Sequence, residues 1–210
     1  SNLPYFLAAL IPFQYPILFW SLRGFEVGIL SLLTIISIEK VFEIQDSNES
    51  NLNKNLFFLY IYLSIGLLTR LDFGVIVLGI SIYLLYIFSQ KGMHLKKFLF
   101  FNFGIILLTS LLLLYQYFYY GDILPNTSYL KTGGFSLIEK IPRGIISSLK
   151  IFPLLFFLLF IGLKNLLYRN DLSKLYLILL VTTLLVLYNI FIGGDAWEVY
   201  GFANRFITPV

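Results

Sequence analysis

The chain has 210 residues, of which 59% are hydrophobic and only 12% are charged, with a formal net charge of +4. Soluble globular domains are typically about 45–50% apolar and about 25% charged. The composition therefore excludes an ordinary soluble enzyme, a disordered chain and a protein with a nucleic-acid-binding tail. It predicts an all-α, polytopic transmembrane bundle surrounded by membrane lipids, with no nucleic-acid partner.

Stretches of about 20 mainly apolar residues, the length that crosses a bilayer, recur along the chain. We predict about seven spans, with an eighth beginning near Phe206: Leu3–Trp20, Phe25–Phe42, Asn55–Thr69, Phe73–Ser89, Phe98–Tyr120, Gly144–Leu163 and Leu175–Ile192. Prolines interrupt the first span, which is predicted to be kinked or partly re-entrant. In the long loop Gly121–Arg143, the recurrence of Leu137 and Ile141, continued by Ile145 and Leu149, predicts an interfacial helix over Phe135–Lys150.

Loop charge predicts the orientation, because loops on the cytoplasmic side are enriched in Lys and Arg. Every second loop is Lys-rich, and we place these loops in the cytoplasm; they carry Lys40, Lys54, Lys91, Lys96, Lys97, Lys164, Arg169 and Lys174. The alternate loops contain Gly-Gly, Gly-Asp and Pro-Asn pairs and a Trp, and we place them outside. Since loops carry function on a rigid scaffold, these outer loops predict a site on the extracytoplasmic face.

The residue inventory limits the chemistry. The chain has no Cys, which excludes disulfides and Cys-ligated metal sites, and its single His, His94, excludes a zinc site made from a pair of His. No cofactor is predicted with certainty, and dependence on a divalent cation stays open. The chain begins with Ser1 and not Met, opens on no signal peptide, and stops at the start of a new apolar run. We therefore expect residues 1–210 to be a single transmembrane domain, a fragment of a longer membrane protein.

The first candidate segment is Gly121–Gly134, which carries Asp122, Asn126 and Lys131 around a tight turn at Pro125. A capped turn leaving the membrane is the simpler interpretation of this segment. A binding role for its polar side chains is the alternative.

The second candidate segment is Gly193–Arg205, which places polar and aromatic side chains between two spans: Asp195, Trp197, Glu198 and Arg205. Residue type alone favours an interface anchor and an ion pair over a sugar-binding pocket. A third segment, Ser21–Glu26, carries Arg23 and Glu26, and a carboxylate at this position suits a helix N-terminus. In a fourth segment, Thr69–Asp72, Asp72 likewise is predicted to open a helix.

Four sequence segments, in this order, carry a resemblance to a known family: "RGFE", "LTRLD", "YYGDILPNTSYLK" and "GGDAWE…ANRF". The chain resembles the multispanning GT-C glycosyltransferases of bacteria, and within them the branch similar to the arabinofuranosyltransferases. The resemblance covers the chain from about Trp20 to Pro209. The third segment and the Gly-Gly-Asp-x-Trp part of the fourth are its more specific motifs.

The resemblance implies a multi-pass enzyme of the bacterial inner membrane. Such an enzyme transfers a sugar from a polyprenyl-phosphate donor to a glycan or lipid acceptor at the extracytoplasmic face. In that superfamily the principal catalytic acid usually lies in the first outer loop, so it is expected upstream of Ser1 and the catalytic residue is unknown here. The resemblance and the topology together predict these substrate-binding residues: Asp122, Asn126, Lys131, Asp195, Trp197, Glu198, Arg205, Glu26 and Arg23.

Within that set, Asp195, Glu198 and Asp122 are expected to bind hydroxyls or support the missing base. Arg205 and Lys131 are expected to bind phosphate. Two other function classes stay open, a lipid or small-molecule transporter or flippase and a non-catalytic membrane subunit. The span interiors hold almost no charge, which counts against ion-coupled transport.

Overall fold

The structure is a computed structural model that describes residues 17, 19, 22, 26–46, 49–91, 95–123, 136, 138–150, 172–194 and 206–207. Over these residues the chain is all-helical, with no strand. The long helices are α1 (Val27–Asp46), α2 (Glu49–Thr69), α3 (Gly74–Lys91), α4 (Leu95–Tyr120) and α5 (Leu172–Ile192). A short 3-10 helix, Leu71–Phe73, joins α2 to α3, and residues 138–150 are also helical.

In the part of the chain that is described, 4 helices are long and apolar enough to cross a membrane: Asn51–Thr69, Leu71–Gln90, Leu95–Tyr120 and Ser173–Ile192. They correspond to the predicted third, fourth, fifth and seventh spans. Helix α1 is not among them, because Glu39, Lys40 and Glu43 interrupt the apolar run in its second half. The predicted first span lies largely outside the described residues, as does the second half of the sixth.

The predicted interfacial helix is helical from residue 138, and the side chain of Glu139 caps its start. The Glu139 carboxylate accepts hydrogen bonds from the Ser136 backbone N–H at 2.9 Å and from the Ser136 hydroxyl at 3.1 Å, while the Ser136 carbonyl accepts from the Glu139 and Lys140 N–H groups. The apolar residues that motivated the prediction are 42–60% exposed at Ile141, Ile145 and Leu149. The orientation of this helix relative to a membrane stays a prediction.

The bundle is held by close helix contacts, with α1 against α2, α3 against α5, and α2 and α3 against α4. Leu63, Ile80 and Val181 are fully buried between these helices. Lipid tails are as apolar as Leu, so membrane helices associate through tight packing and interhelical hydrogen bonds more than through the hydrophobic effect. Tight packing occurs at Gly79, which lets α3 approach Val181 of α5.

A partly buried hydrogen-bond network joins α1, α3 and α5 at one end of the bundle. The hydroxyl of the fully buried Tyr83 lies 2.9 Å from Gln45 Oε1 and 2.9 Å from the Ser173 carbonyl oxygen. The Gln45 amide also donates to the Ser173 hydroxyl at 2.6 Å. Next to it, Lys174 pairs with Asp46 at 3.3 Å. We call this the Lys-rich end; the opposite end, where α2 turns into α3, is the Arg70 end.

Labelling of single Cys residues tests which end faces the cytoplasm. The natural chain has no Cys, so each introduced thiol reports alone. We expect Ile123→Cys, at a side chain that is 50% exposed, to react with a membrane-impermeant maleimide in intact cells. Lys96→Cys, at the Lys-rich end, should react only after the membrane is permeabilised. The reverse pattern would invert the predicted topology.

Candidate functional site

The Arg70 end contains a cluster of charged side chains. Arg70 Nε donates to Asp72 Oδ1 at 2.8 Å, and its Nη2 contacts Asp72 Oδ2, which gives a bidentate pair. Its Nη1 lies 3.1 Å from Glu26 Oε1. Two carboxylates therefore share one guanidinium, and the cluster of Glu26, Arg70 and Asp72 has a formal charge of −1. We call it the Arg70 cluster.

The local sequence explains why these groups meet. Arg70 is extended, with φ −152° and ψ 130°, between the last residue of α2 and the 3-10 helix. This break lets the chain reverse, and it places Asp72 in the first turn of the helix that follows, where a carboxylate is favourable. Glu26 directly precedes α1, and its carbonyl accepts the Leu30 N–H at 3.0 Å. The predicted opening of helices by Glu26 and Asp72 agrees with this geometry.

The cluster is mostly shielded from the surroundings. The side chains of Arg70, Asp72 and Glu26 are 14%, 17% and 33% exposed. Arg70 Nη1 is buried and has no aligned hydrogen-bond acceptor among the described residues, although Glu26 is within ion-pair distance. A buried donor without an aligned acceptor carries a cost of about 1–3 kcal/mol.

Aromatic side chains cover the cluster. The Arg70 guanidinium carbon lies 5.5 Å from the centre of the Phe206 ring, a cation–π distance. The Phe206 ring meets the Tyr188 ring edge to face, with centroids 5.8 Å apart. Phe206 is only 5% exposed, so the chain just after Arg205 returns to the start of α3. A small cleft is lined here by Leu30, Arg70, Asp72, Phe73, Ile76, Leu185, Tyr188 and Phe206.

Helix α5 ends in a Schellman motif directly before the second candidate segment. The N–H of Gly194 donates to the Asn189 carbonyl at 3.0 Å, and the N–H of Gly193 donates to the Ile190 carbonyl at 3.1 Å. Gly193 and Gly194 have φ +89° and +85°, which favour Gly. Gly193 also lies against Lys140. The Gly-Gly pair therefore fixes where the chain leaves α5, immediately before Asp195.

Two of the predicted site residues, Glu26 and Asp122, lie among the described residues. Glu26 is part of the Arg70 cluster. Asp122 follows the C-cap of α4, where Gly121 has φ +76°, and its Oδ1 accepts the Ile123 N–H at 2.9 Å. The remaining predicted site residues lie outside the described residues: Arg23, Asn126, Lys131, Asp195, Trp197, Glu198 and Arg205.

Arg70 and Asp72 were not among the predicted site residues. Their sequence signal was a charged pair isolated between two long apolar runs, which is costly unless the charges are paired. In the described part of the chain, no three His, Cys, Asp or Glu residues are close enough to hold a metal ion. The carboxylates of the cluster can accept hydrogen bonds from hydroxyls.

Comparisons with protein-family models, with curated proteins and with solved structures each returned no match.

Proposed function

We propose that this chain belongs to a membrane glycosyltransferase of the GT-C type, which moves a sugar from a polyprenyl-phosphate donor to a glycan or lipid acceptor. The carrying observation is that three of the four segments that resemble this family meet in one cluster. Glu26 comes from "RGFE", Arg70 and Asp72 from "LTRLD", and Phe206 from "ANRF". Function is often carried by loops on a rigid scaffold, so the meeting of three such segments at one end of the bundle supports a shared site there.

In the proposed reaction the acceptor hydroxyl attacks the anomeric carbon of the donor sugar. A general base takes the hydroxyl proton, a new carbon–oxygen bond forms, and the bond from the anomeric carbon to the phosphate oxygen breaks. The electron pair leaves with the polyprenyl phosphate, whose negative charge cations stabilise. We assign Arg205 and Lys131 to the phosphate, and Asp195, Glu198 and Asp122 to hydroxyls or to support of the base.

The proposal includes the finer topology. About seven spans, among them α1, surround the site, the helix over Phe135–Lys150 lies partly along the interface, and the Arg70 end faces outside the bacterial inner membrane. The bidentate pair of Arg70 with Asp72 supports a positioning role for this cluster, because it fixes the α2–α3 turn beside the segment that carries Arg205. Glu26 offers its carboxylate to substrate hydroxyls at the edge of the same cluster.

Transfer assays on the intact protein test this proposal. In native membranes, with a panel of radiolabelled polyprenyl-phosphate sugars, we expect Asp195→Asn and Arg205→Ala each to lower transfer about a hundredfold. A hundredfold loss corresponds to about 2.7 kcal/mol, the lower end of what removal of one contact to a transition state typically costs. Glu26→Gln should raise the KM for the acceptor more than it lowers kcat, since it removes a binding contact.

Lys96→Ala is the matched control, because Lys96 is exposed at the opposite end of the bundle; it should transfer sugar at the wild-type rate. Wild-type turnover of Asp195→Asn and Arg205→Ala at equal membrane abundance would remove both residues from the site. A full-length protein that transfers no sugar from any polyprenyl-phosphate donor would contradict the proposed function.

A further inference from the structure

Among the described residues, three polar side chains line the small cleft at the Arg70 end: Arg70, Asp72 and Tyr188. Arg70 and Asp72 hold each other through the bidentate pair. Tyr188 belongs to α5, about one turn before that helix ends at Ile192. The rest of the described lining is apolar and comes from Leu30, Phe73, Ile76, Leu185 and Phe206. We call this space the Tyr188 cleft.

The Tyr188 side chain lies beside the Arg70 cluster without a direct hydrogen bond to it. Its ring contacts the Phe206 ring, with centroids 5.8 Å apart, and the centre of the Phe206 ring lies 5.5 Å from the Arg70 guanidinium carbon. The Tyr188 hydroxyl interacts electrostatically with Asp72 and Arg70, but it forms no hydrogen bond with either of these two side chains. A polar contact longer than about 3.5 Å is the arrangement in which a water molecule can bridge the two groups.

The size of the Tyr188 cleft suits a single water molecule. Its volume is about 10 Å³, and a polar cavity holds a water molecule from about 10–15 Å³ upward. A sugar ring or a phosphate group is larger than this space. Cavities that stay empty in proteins are apolar, whereas buried waters typically make about 2–4 hydrogen bonds to polar groups. The polar side chains of this cleft therefore favour a bound water molecule.

The lining groups offer one donor and one acceptor that a water molecule can join. The Tyr188 hydroxyl has a proton to donate, and an ionised carboxylate has about four lone-pair sites on its two oxygens. Asp72 Oδ1 accepts a hydrogen bond from Arg70 Nε, and Asp72 Oδ2 contacts Arg70 Nη2. The carboxylate therefore keeps acceptor sites that Arg70 does not use.

We propose that the Tyr188 cleft binds one ordered water molecule, which accepts a hydrogen bond from the Tyr188 hydroxyl and donates one to the Asp72 carboxylate. This water joins the C-terminal end of α5 to the turn between α2 and α3. It gives the Asp72 carboxylate a donor in addition to Arg70, and so it helps to fix the orientation in which Asp72 holds the guanidinium. The site uses only groups that the fold brings together, so it does not depend on the proposed transferase activity.

Electron cryomicroscopy of the full-length protein in lipid nanodiscs, at a resolution that shows ordered water, tests the proposal. We expect a water peak about 2.5–3.0 Å from both the Tyr188 hydroxyl oxygen and one Asp72 carboxylate oxygen, the usual O–H···O distance. Tyr188→Phe removes the hydroxyl and keeps the ring, so the peak should be absent from this variant. The ratio of folded to unfolded protein, measured by SDS denaturation, should fall about fivefold in Tyr188→Phe, the effect of losing one hydrogen bond.

Tyr176→Phe is the matched control, because it makes the same change on the same helix at a side chain that is 45% exposed. It should leave both the water peak and the stability at their wild-type values. Three structural results would each overturn the proposal: no peak in the wild-type cleft, a direct hydrogen bond between Tyr188 and Asp72, or a peak that stays in Tyr188→Phe. Equal losses of stability in Tyr188→Phe and Tyr176→Phe would overturn it as well.

Discussion

Replacement of Arg70 by Met is expected to lower the free energy of unfolding by about 2–3 kcal/mol. The variant leaves two partly buried carboxylates, those of Asp72 and Glu26, beside each other without their shared cation. Breaking a fully buried ion pair costs about 3–5 kcal/mol, and the exposure of Glu26, 33% of its side chain, reduces that figure. Denaturation of the purified protein by SDS in mixed micelles gives the measurement.

The partners of Arg70 separate this explanation from a loss of packing. Arg70→Lys keeps the charge but loses the planar fork that holds both Asp72 oxygens, so we expect an intermediate loss. Adding Glu26→Gln and Asp72→Asn to Arg70→Met should recover part of the stability, since the uncompensated charges disappear. The control is Arg143→Ala, at an exposed Arg of the 138–150 helix. Equal losses for Arg143→Ala and Arg70→Met would show that the cluster adds no stability.

The long helices were predictable because each contains an apolar run of spanning length, but their starts were not. The sequence predicts a span from Asn55, whereas α2 begins at Glu49, and it predicts a span from Phe98, whereas α4 begins at Leu95. Hydropathy detects the part of a helix that lipid or the core can bury. The polar first turns, such as the one that carries Lys96 and Lys97, continue the helix beyond that part.

In the candidate site, nearby sequence predicts which residues begin helices but not which residues pair with one another. That Glu26 and Asp72 open helices follows from nearby sequence, and this prediction agrees with the structure. That both pair with Arg70 depends on how α1 packs against the α2–α3 turn, which no local pattern encodes. The sequence predicts a span over Phe25–Phe42 because most of that stretch is apolar, whereas Glu39, Lys40 and Glu43 interrupt the apolar run in the second half of α1.

Replacement of Gly144 by Leu is expected to disrupt the contact between the 138–150 helix and α5. A Cβ atom at Gly144 would lie 2.6 Å from the Cα atom and 2.6 Å from the carbonyl oxygen of Ile190, and backbone atoms cannot move aside as a flexible side chain can. Gly144→Ala should lower the free energy of unfolding by about 1–3 kcal/mol. Gly144→Leu should lower it further and expose the amide of Asn189.

The Asn189 amide explains why this contact is specific as well as close. It is fully buried and donates to the hydroxyls of Ser147 at 3.2 Å and Ser148 at 2.9 Å. Small residues that let backbones approach, with hydrogen bonds across the contact, are the usual means by which membrane helices associate. Separating the helices therefore removes packing and breaks the hydrogen bonds from the Asn189 amide to Ser147 and Ser148, so the two losses should occur together.

Gly104→Ala is the matched control for this last prediction, because a Cβ atom there meets nothing within 4 Å. It should be neutral or stabilising by up to about 1 kcal/mol, the difference in helix propensity between Gly and Ala. SDS denaturation measures all three variants. A disulfide between Ser148→Cys and Asn189→Cys should form in the wild-type background and fail to form in Gly144→Leu. Efficient crosslinking in Gly144→Leu, or equal stability of Gly144→Ala and Gly104→Ala, would contradict the close approach of these two helices.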